Sequence, residues 1–370
     1  MSGKYMAYVG SYSYTGKAKG ITVFDVDVEN GTFRERCEME VDNSSYVIAS
    51  SDGKTLYSIA DEGVVSFRIL QNGSLARLNS APIRGMRGCH LCTDMEDKYV
   101  FVSGYHDGKT TVVSLNKEGS VGEIVDEVFN KGYGSVAERN FRSHVTCTRR
   151  MPDGRYVLSV DNGTDQVKVY RFNDKDKRLF QVDAIHCDLE SAPRHFRYSS
   201  DGRFLYLMHE LQNVICVYSY ETGDRAPVVE KIQTISTTST KNPGNLTAAC
   251  AMRLSPDEKY VYCTNAGENT VSIYSRDEKS GLLTMICCLP VSGEYPKDVA
   301  VFPDQRHIAS INHDSGSISF FEVDYEKGLI VMCGRSVMVN EPNCCAAGFR
   351  RRRRTGRSGV LHHGPHLQCM

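Results

Sequence analysis

Short runs of alternating apolar and polar residues recur along the chain, and most follow the same kind of turn. The turn reads acid, then Gly or a polar residue, then Lys or Arg, as in "SSDGRFLYLM" and "MPDGRYVLSV". A second alternating run comes next, as in "VICVYSY", which is typical of paired β-strands. The copies begin at the acidic residues Asp52, Glu96, Asp153, Asp201, Asp257 and Asp304. Their separations of 44 to 57 residues suit one four-stranded propeller blade per copy.

The N-terminus supplies a partial seventh copy, in which "MAYVGSY" is followed by "GITVFDVD" without a preceding strand and turn. A propeller leaves no open sheet edge when one blade is shared between the two termini. We therefore expect the missing innermost strand to come from the segment near "VNEPNCCAAGF". The pattern predicts an all-β protein, a seven-bladed β-propeller over residues 1–344 whose ring is closed by joining the N- and C-terminal strands.

Polar residues stand at the outer ends of several predicted hairpins. Counting back from the turn at Asp201 places Arg194 opposite His209 and Pro193 opposite Glu210 in an unbroken hairpin. The same count pairs Thr146 with Asp161, His144 with Gly163, and Lys297 with Asn312. Since innermost strands line the central channel, these groups should converge at its mouth. A single His or Arg at a strand end is more often a solvated loop residue. The functional interpretation therefore depends on several such residues meeting at the channel mouth.

Two segments, "APRHFRYSSDGRFLYLMHELQNVICVY" and "MPDGRYVLSVDNGTDQVKVYRF", together with "YPKDVAVFPDQ", resemble the seven-bladed propeller lactonases. That family includes propeller-type 6-phosphogluconolactonases and carboxymuconate-lactonizing enzymes. The resemblance implies catalytic roles for Arg194 and Glu210 and, less directly, for His144, because the family often has two histidines where this chain has His144 and Thr146. This chain differs from the family pattern at Lys297 and Ala266, where many relatives carry Arg.

Lactone hydrolysis needs a base for water, a positive group near the developing oxyanion and an acid for the leaving alkoxide. His144 and Glu210 are the candidates for proton transfer, and Arg194 is the candidate electrostatic stabiliser. The predicted substrate-binding residues are His195, Arg253, Lys297 and Asn312, of which Lys297 and Arg253 could hold a phosphate. We expect hydrolysis of 6-phosphoglucono-1,5-lactone by water, without a metal or organic cofactor, because no GxSxG or GxxxxGK[ST] motif occurs.

Other hypotheses stay open at this point. The site could cyclise a carboxylated muconate or hydrolyse another lactone, or the propeller could bind a ligand or partner without turnover. A calcium cage would need oxygen ligands such as Glu210, Asp161, Asn265 and Asn312. The CxxC motif at Cys89 and Cys92 lacks a second pair at zinc-site spacing, so a metal there is not expected.

Composition changes this picture little before the C-terminus. The chain is 41% hydrophobic and 24% charged, and it shows no export signal or long apolar segment, so we expect a cytoplasmic protein with reduced thiols and no membrane partner. Residues 345–370 carry six Arg and no acid. We expect this basic tail to be disordered or aberrant, with weak closure of the first blade and no nucleic-acid partner, although such charge could bind an acidic surface.

Overall fold

The fold consists of seven antiparallel sheets arranged as the blades of a propeller. The computed structural model describes residues 5–134, 141–239 and 247–350, with the side chains of 348–350 excluded. In chain order its elements are β1 Tyr5–Ser11, β2 Gly20–Asp27, β3 Thr32–Glu40, β4 Val47–Ala49, β5 Thr55–Ile59, β6 Gly63–Ile69, β7 Leu75–Pro82, β8 His90–Thr93, β9 Tyr99–Gly104, β10 Lys109–Leu115, β11 Val121–Phe129, β12 Val145–Arg150, β13 Tyr156–Asp161, a 3₁₀ turn Asn162–Thr164, β14 Gln166–Arg171, β15 Phe180–His186, β16 Pro193–Tyr198, β17 Phe204–His209, β18 Val214–Glu221, β19 Val228–Ser236, β20 Ala248–Leu254, β21 Tyr260–Ala266, β22 Thr270–Arg276, β23 Leu283–Pro290, β24 Pro296–Val301, β25 His307–Asn312, β26 Ser317–Asp324, β27 Leu329–Met332, β28 Val337–Met338 and β29 Pro342–Arg350.

Consecutive strands form consecutive blades, as the repeat predicts. Blade 1 has the order β29-β1-β2-β3, and blades 2 to 6 contain β4 to β7, β8 to β11, β12 to β15, β16 to β19 and β20 to β23. Blade 7 contains β24 to β27, and β28 also pairs with β26. Within the described ranges no helix is long and apolar enough to cross a membrane.

The two ends of the chain close the ring in blade 1. Strand β29 pairs antiparallel with β1 from Tyr5 opposite Arg350 to Ser11 opposite Pro342. The predicted joining of terminal strands is therefore confirmed. The closing strand continues past residue 344, so 345–350 belong to the blade, contrary to the tail boundary drawn from the sequence. The rest of that predicted tail, 351–370, lies outside the described residues.

The cores lie between neighbouring blades, where apolar residues of facing sheets interdigitate. Cys344 and Ala346 pack in the cluster that joins blades 1 and 2, whereas Cys345 packs in the cluster that joins blades 7 and 1. Tyrosine hydroxyls add polar ties across such boundaries: Tyr8 donates to the Gly73 carbonyl at 3.0 Å and Tyr206 to that of Gly281 at 3.0 Å. A buried hydroxyl needs such a partner, so the ties fix the relation between adjacent blades.

The acid turns are structural. The Asp153 carboxylate accepts a hydrogen bond from the Arg155 backbone N–H at 2.8 Å, and Asp201 does the same with Arg203 at 3.0 Å. The residue after the acid adopts the left-handed conformation, with φ of 67° at Gly154. Glycine enters this region without the steric penalty of a side chain, which explains the acid-Gly pair.

The innermost strands carry a repeated irregularity that the sequence count misses. In blades 4 to 7 the register slips by one residue next to the channel mouth, and the residues that interrupt the pairing are Thr146, Arg194, Cys250 and Lys297. Pro193, and not Arg194, therefore lies opposite His209, and Pro296, and not Lys297, lies opposite Asn312. A β-bulge leaves its extra residue unpaired and re-aims its side chain. The unbroken hairpins assumed from the sequence are thus wrong by one position at their outer ends.

Candidate active site

The bulges surround a cavity of about 130 Å³ at one mouth of the central channel. Every blade contributes to its wall. The lining residues are Tyr12, Ser45, Tyr46, Cys89, His90, Tyr105, Thr146, Arg194, His195, Cys250, Ala251, Lys297, Asp298, Asn343 and Cys344. Because equivalent strands converge on the propeller axis, residues far apart in sequence meet here.

Equivalent repeat positions form three successive rings along the channel. The mouth ring consists of the residues seven positions before each turn acid, together with one residue of β29. Its members are Ser45, Cys89, Thr146, Arg194, Cys250, Lys297 and Asn343. The middle ring follows one residue later and contains Tyr46, His90, Cys147, His195, Ala251, Asp298 and Cys344. The throat ring lies two residues deeper on the same strand face and contains Ile48, Cys92, Arg149, Arg197, Arg253, Ala300 and Ala346.

Arg194 is one of two cationic members of the mouth ring. Its Nη1 donates to Glu210 Oε2 at 2.7 Å and its Nε to the Cys250 carbonyl at 3.0 Å, and 30% of the side chain remains exposed. Burial by itself lowers the pKa of this guanidinium, but the Glu210 carboxylate outweighs it and raises the pKa above its ordinary value. The cavity therefore contains a permanently charged, oriented donor.

Glu210 lies behind Arg194 and is not part of the cavity wall. The residue is 5% exposed, and its Oε2 also accepts a hydrogen bond from Asn162 Nδ2 at 3.2 Å. Its backbone N–H donates to the Ala192 carbonyl at 2.8 Å, so Glu210 pairs with Ala192 and not with Pro193, the partner predicted from the sequence. Its geometry suits positioning of Arg194.

Lys297 is the second cation of the mouth ring. Its Nζ lies 5.2 Å from the ring centroid of Tyr12 and 5.6 Å from that of Tyr295, within the range of cation–π attraction. Burial, and then the positive charge of Arg194, lowers the pKa of this ammonium to about 8. The two cations are therefore close enough to repel each other, and an anionic group between them would be attracted by both.

Two histidines in the middle ring stay neutral. Burial, and then the Arg197 guanidinium, lowers the pKa of His195 well below its ordinary value. His90 shows the same direction of pKa shift because of burial and Arg149. Their rings meet edge to face with centroids 5.5 Å apart. These imidazoles form part of the cavity wall.

Comparison with known proteins decides the family. The model of the lactonase family described as a 7-bladed β-propeller matches residues 6–347. The chain belongs to this family. The 6-phosphogluconolactonase of Bacillus subtilis (strain 168) is 28% identical over 347 residues, which is 92% of this chain and 97% of that protein.

Solved structures agree with this lactonase assignment. A protein proposed to be a 6-phosphogluconolactonase, from Bacteroides fragilis NCTC 9343, has a TM-score of 0.85 at 29% identity and covers 94% of this chain and 98% of its own. The periplasmic gluconolactonase of Pseudomonas aeruginosa has a TM-score of 0.86 at 25% identity, with coverages of 94% and 99%. Membership makes the chain a lactone-hydrolysing enzyme.

Besides Glu210, three residues that the sequence placed in this lactonase's site lie outside the cavity wall. His144 Nδ1 is 2.7 Å from the Tyr105 carbonyl, and its ring stacks on that of Tyr105 at 4.2 Å. Asn312 is fully buried among serines of its own blade and binds Ser310 and Ser319. Arg253 belongs to the throat ring and is paired with Asp298. His195 and Lys297 do line the cavity, as does Arg194.

Sequence reasoning missed other wall residues of the lactonase cavity, among them Tyr12, His90 and Asn343. Tyr12 follows β1 in a loop and carries no repeat signal. Asn343 lies on the closing strand, which no turn acid follows. His90 could have been found, because it has the same distance from its turn acid as His195 has from Asp201. Comparing that one repeat position across all blades would have revealed the middle ring.

Metal and thiol chemistry find little support in these residues. In the described part of the chain, His90, Cys147 and His195 place potential ligand atoms within 4.8 Å of one another. However, Arg149 Nη2 lies 3.3 Å from His90 Nε2 and Arg197 Nη1 lies 2.8 Å from His195 Nε2, and such cations oppose a divalent metal. The residues considered for a calcium site lie at or next to the ends of the second strands of four different blades. They are Asp161, Glu210, Asn265 and Asn312.

The three cysteines of the cavity wall are poorly suited as nucleophiles. Burial raises the pKa of the Cys89 and Cys344 thiols to about 12 and also raises the pKa of the Cys250 thiol. All three stay protonated at neutral pH, whereas the thiolate is the reactive form. Cys89 instead donates its S–H to the Val145 carbonyl at 3.3 Å.

Proposed function

We propose that this lactonase hydrolyses 6-phosphoglucono-1,5-lactone to 6-phosphogluconate in the mouth cavity. The observation that carries the proposal is the pairing of Arg194 and Lys297 in the mouth ring, with neutral histidines beneath them. A substrate with a reactive carbonyl at one end and a phosphate at the other matches two separate cations. The names of the Bacillus subtilis and Bacteroides fragilis relatives agree with this substrate.

Water is the nucleophile in this mechanism. Its oxygen forms a bond to the lactone carbonyl carbon, and negative charge develops on the carbonyl oxygen, where the Arg194 guanidinium stabilises it. The bond between that carbon and the ring oxygen then breaks, and the ring oxygen takes up a proton. The products are a hydroxyl and a carboxylate, with one proton released to solvent.

Electrostatic stabilisation and positioning are the main contributions of the protein. One preorganised donor at an oxyanion is worth about 10² to 10³ in rate. Because His144 and Glu210 lie behind the wall, neither is assigned the role of base that the sequence suggested. A sugar lactone opens slowly in water without help, so a modest acceleration suffices.

The direct test is the loss of freshly prepared 6-phosphogluconolactone, followed by coupling its product to 6-phosphogluconate dehydrogenase. We expect turnover well above the spontaneous rate, unchanged by a chelator. Unphosphorylated gluconolactone and a carboxylated muconate are the comparison substrates. A rate equal to that of buffer for the phosphorylated lactone, with the protein shown to be folded, would exclude the proposal, and preferential turnover of a comparison substrate would reassign the activity.

The low pKa of Lys297 gives a pH prediction. If the ammonium holds the phosphate, kcat/KM for the phosphorylated lactone is highest below pH 8 and falls as the pH rises through about 8, because deprotonation removes the charge. Lys297→Arg keeps its charge to a much higher pH and should abolish that fall. The measurement is kcat/KM from pH 6 to 9.5 after subtraction of spontaneous hydrolysis.

The unphosphorylated lactone is the control for this pH profile and should show no fall near pH 8. Lys259→Arg, at an exposed turn, should behave like the native chain. An identical alkaline fall in the native protein and in Lys297→Arg would show that another group is responsible.

A further inference from the structure

Three arginines enter the throat ring from consecutive blades. Arg149, Arg197 and Arg253 come from β12, β16 and β20 at the same repeat position. Arg149 is 5% exposed and Arg197 is 3% exposed, and 14% of the Arg253 side chain is exposed. The other throat-ring members are the buried Ile48, Cys92, Ala300 and Ala346. Three guanidinium groups thus share a dry section of the channel.

One of these charges is neutralised. Arg253 Nε and Nη2 donate to the two carboxylate oxygens of Asp298 at 3.0 and 2.6 Å. Both Asp298 oxygens also accept backbone N–H groups, from Val299 and Cys345. Asp298 is therefore fully committed to Arg253 and to backbone donors, and it cannot also serve the other two arginines.

Arg149 and Arg197 donate to weak acceptors, and several of their N–H donors have no acceptor. Arg149 reaches His90 Nε2 and the Cys92 sulfur, each at 3.3 Å. Arg197 reaches His195 Nε2 at 2.8 Å and the Phe196 carbonyl at 3.2 Å. Buried atoms without a partner include Nε of Arg149 and both Nε and Nη2 of Arg197. In a native protein such unsatisfied groups call for a specific explanation.

The two arginines face the same small region. Arg149 and Arg197 each touch one member of the His90–His195 pair, whose rings are 5.5 Å apart. Burial, and then repulsion from Arg149 and Arg253, lowers the pKa of Arg197 to about 10. Two uncompensated positive charges in an apolar ring are costly unless a counter-charge is present.

We propose that the throat ring binds a small inorganic anion of about chloride size between Arg149 and Arg197, beneath the His90–His195 pair. The anion accepts the unpartnered Nε and Nη2 donors and balances the excess charge. Both histidines line the mouth cavity, whereas neither Arg149 nor Arg197 does, so the bound species is distinct from the lactone, and the inference does not depend on which lactone is the substrate. The buried Ile48, Cys92, Ala300 and Ala346 of the same ring have no side-chain oxygen or nitrogen to satisfy sugar hydroxyls, which favours a halide over a sugar phosphate.

The test compares halide with a bulky anion at constant ionic strength. Replacing 100 mM sodium methanesulfonate with 100 mM sodium chloride or bromide should raise the Tm of the full chain by about 3 °C, if binding is in the millimolar range. Crystals grown in bromide should show an anomalous peak about 3.3 Å from the Arg197 guanidinium nitrogens, a normal contact for a halide acceptor.

Arg197→Met is the decisive variant. It removes a buried unpaired charge and keeps an apolar side chain of similar length, so we expect it to fold and to lose the halide-dependent rise in Tm. Arg155→Met, at an exposed turn of blade 4, should keep the full rise. Equal native Tm in halide and methanesulfonate, a rise that persists in Arg197→Met, or bromide crystals without a peak in the throat ring would each overturn the proposal.

Discussion

We expect the replacement of Arg194 with methionine to lower kcat/KM for the lactone by about a thousandfold, since it removes the charged donor that is proposed to face the reacting carbonyl. The loss falls mainly on kcat, because the developing oxyanion needs the guanidinium more than the ground-state carbonyl does. Arg194→Lys should recover only part of the activity. A lysine keeps the charge but cannot donate to Glu210 and to the Cys250 carbonyl at once, as Nη1 and Nε of Arg194 do. Initial rates over a range of substrate concentrations measure both constants.

The control variants separate chemistry from folding. Arg194→Met leaves the Glu210 carboxylate buried without its cation, which costs about 3 to 5 kcal/mol in comparable cases. The double variant Arg194→Met/Glu210→Gln removes that charge and should be as inactive as Arg194→Met while unfolding closer to the native Tm. Arg203→Met, an exposed turn residue of the same blade, should keep full activity. A folded double variant with native kcat/KM would contradict the assigned role.

Removal of the closing strand is the second change with a large expected effect, here on the stability of the fold. A chain ending at Glu341 lacks β29 and should not fold cooperatively, because β1 becomes an open edge and the buried Cys344, Cys345 and Ala346 are lost. A whole domain is stabilised by only about 5 to 15 kcal/mol. A chain ending at Arg350 keeps the strand and should unfold within about 2 °C of the full chain. Thermal unfolding followed by circular dichroism compares the three proteins.

Comparing the chains that end at Glu341 and Arg350 also tests how much the closing strand stabilises the ring. The sequence suggested weak closure of the first blade, whereas the structure pairs β29 with β1 from Pro342 to Arg350, with two register shifts. Equal unfolding temperatures for the chains ending at Glu341 and Arg350 would show that the closing strand contributes no stability. That outcome would favour the weak closure expected from the sequence.

The blades could be predicted because their signal is local and repeated. The turn at Asp201 and the strand after it need one short window of sequence, and five further windows look alike. The bulge at Arg194 has no such signal, because an extra residue in one strand changes pairing without changing the polarity pattern. This single slip moved Glu210 from the predicted wall to a position behind Arg194.

The chemistry of the cavity depends on partners that converge only in three dimensions. Lys297 was found from its strand-end position, but its low pKa depends on burial and on Arg194 from another blade. Similarly, Arg149, Arg197 and Arg253 share one spacing from their turn acids, which by itself indicates only the same place in each blade. The structure shows three neighbouring charges with one carboxylate, Asp298, paired to Arg253, which no count along the chain reveals.

A crystal structure with bound 6-phosphogluconate would show whether the substrate lies between Arg194 and Lys297. We expect the product carboxylate within hydrogen-bond distance of the Arg194 guanidinium and the phosphate against Lys297 Nζ. A second groove, lined by Arg150, Arg155 and Arg171 of blade 4, offers a competing set of cations. Product bound in that groove, with the mouth cavity empty, would contradict the account.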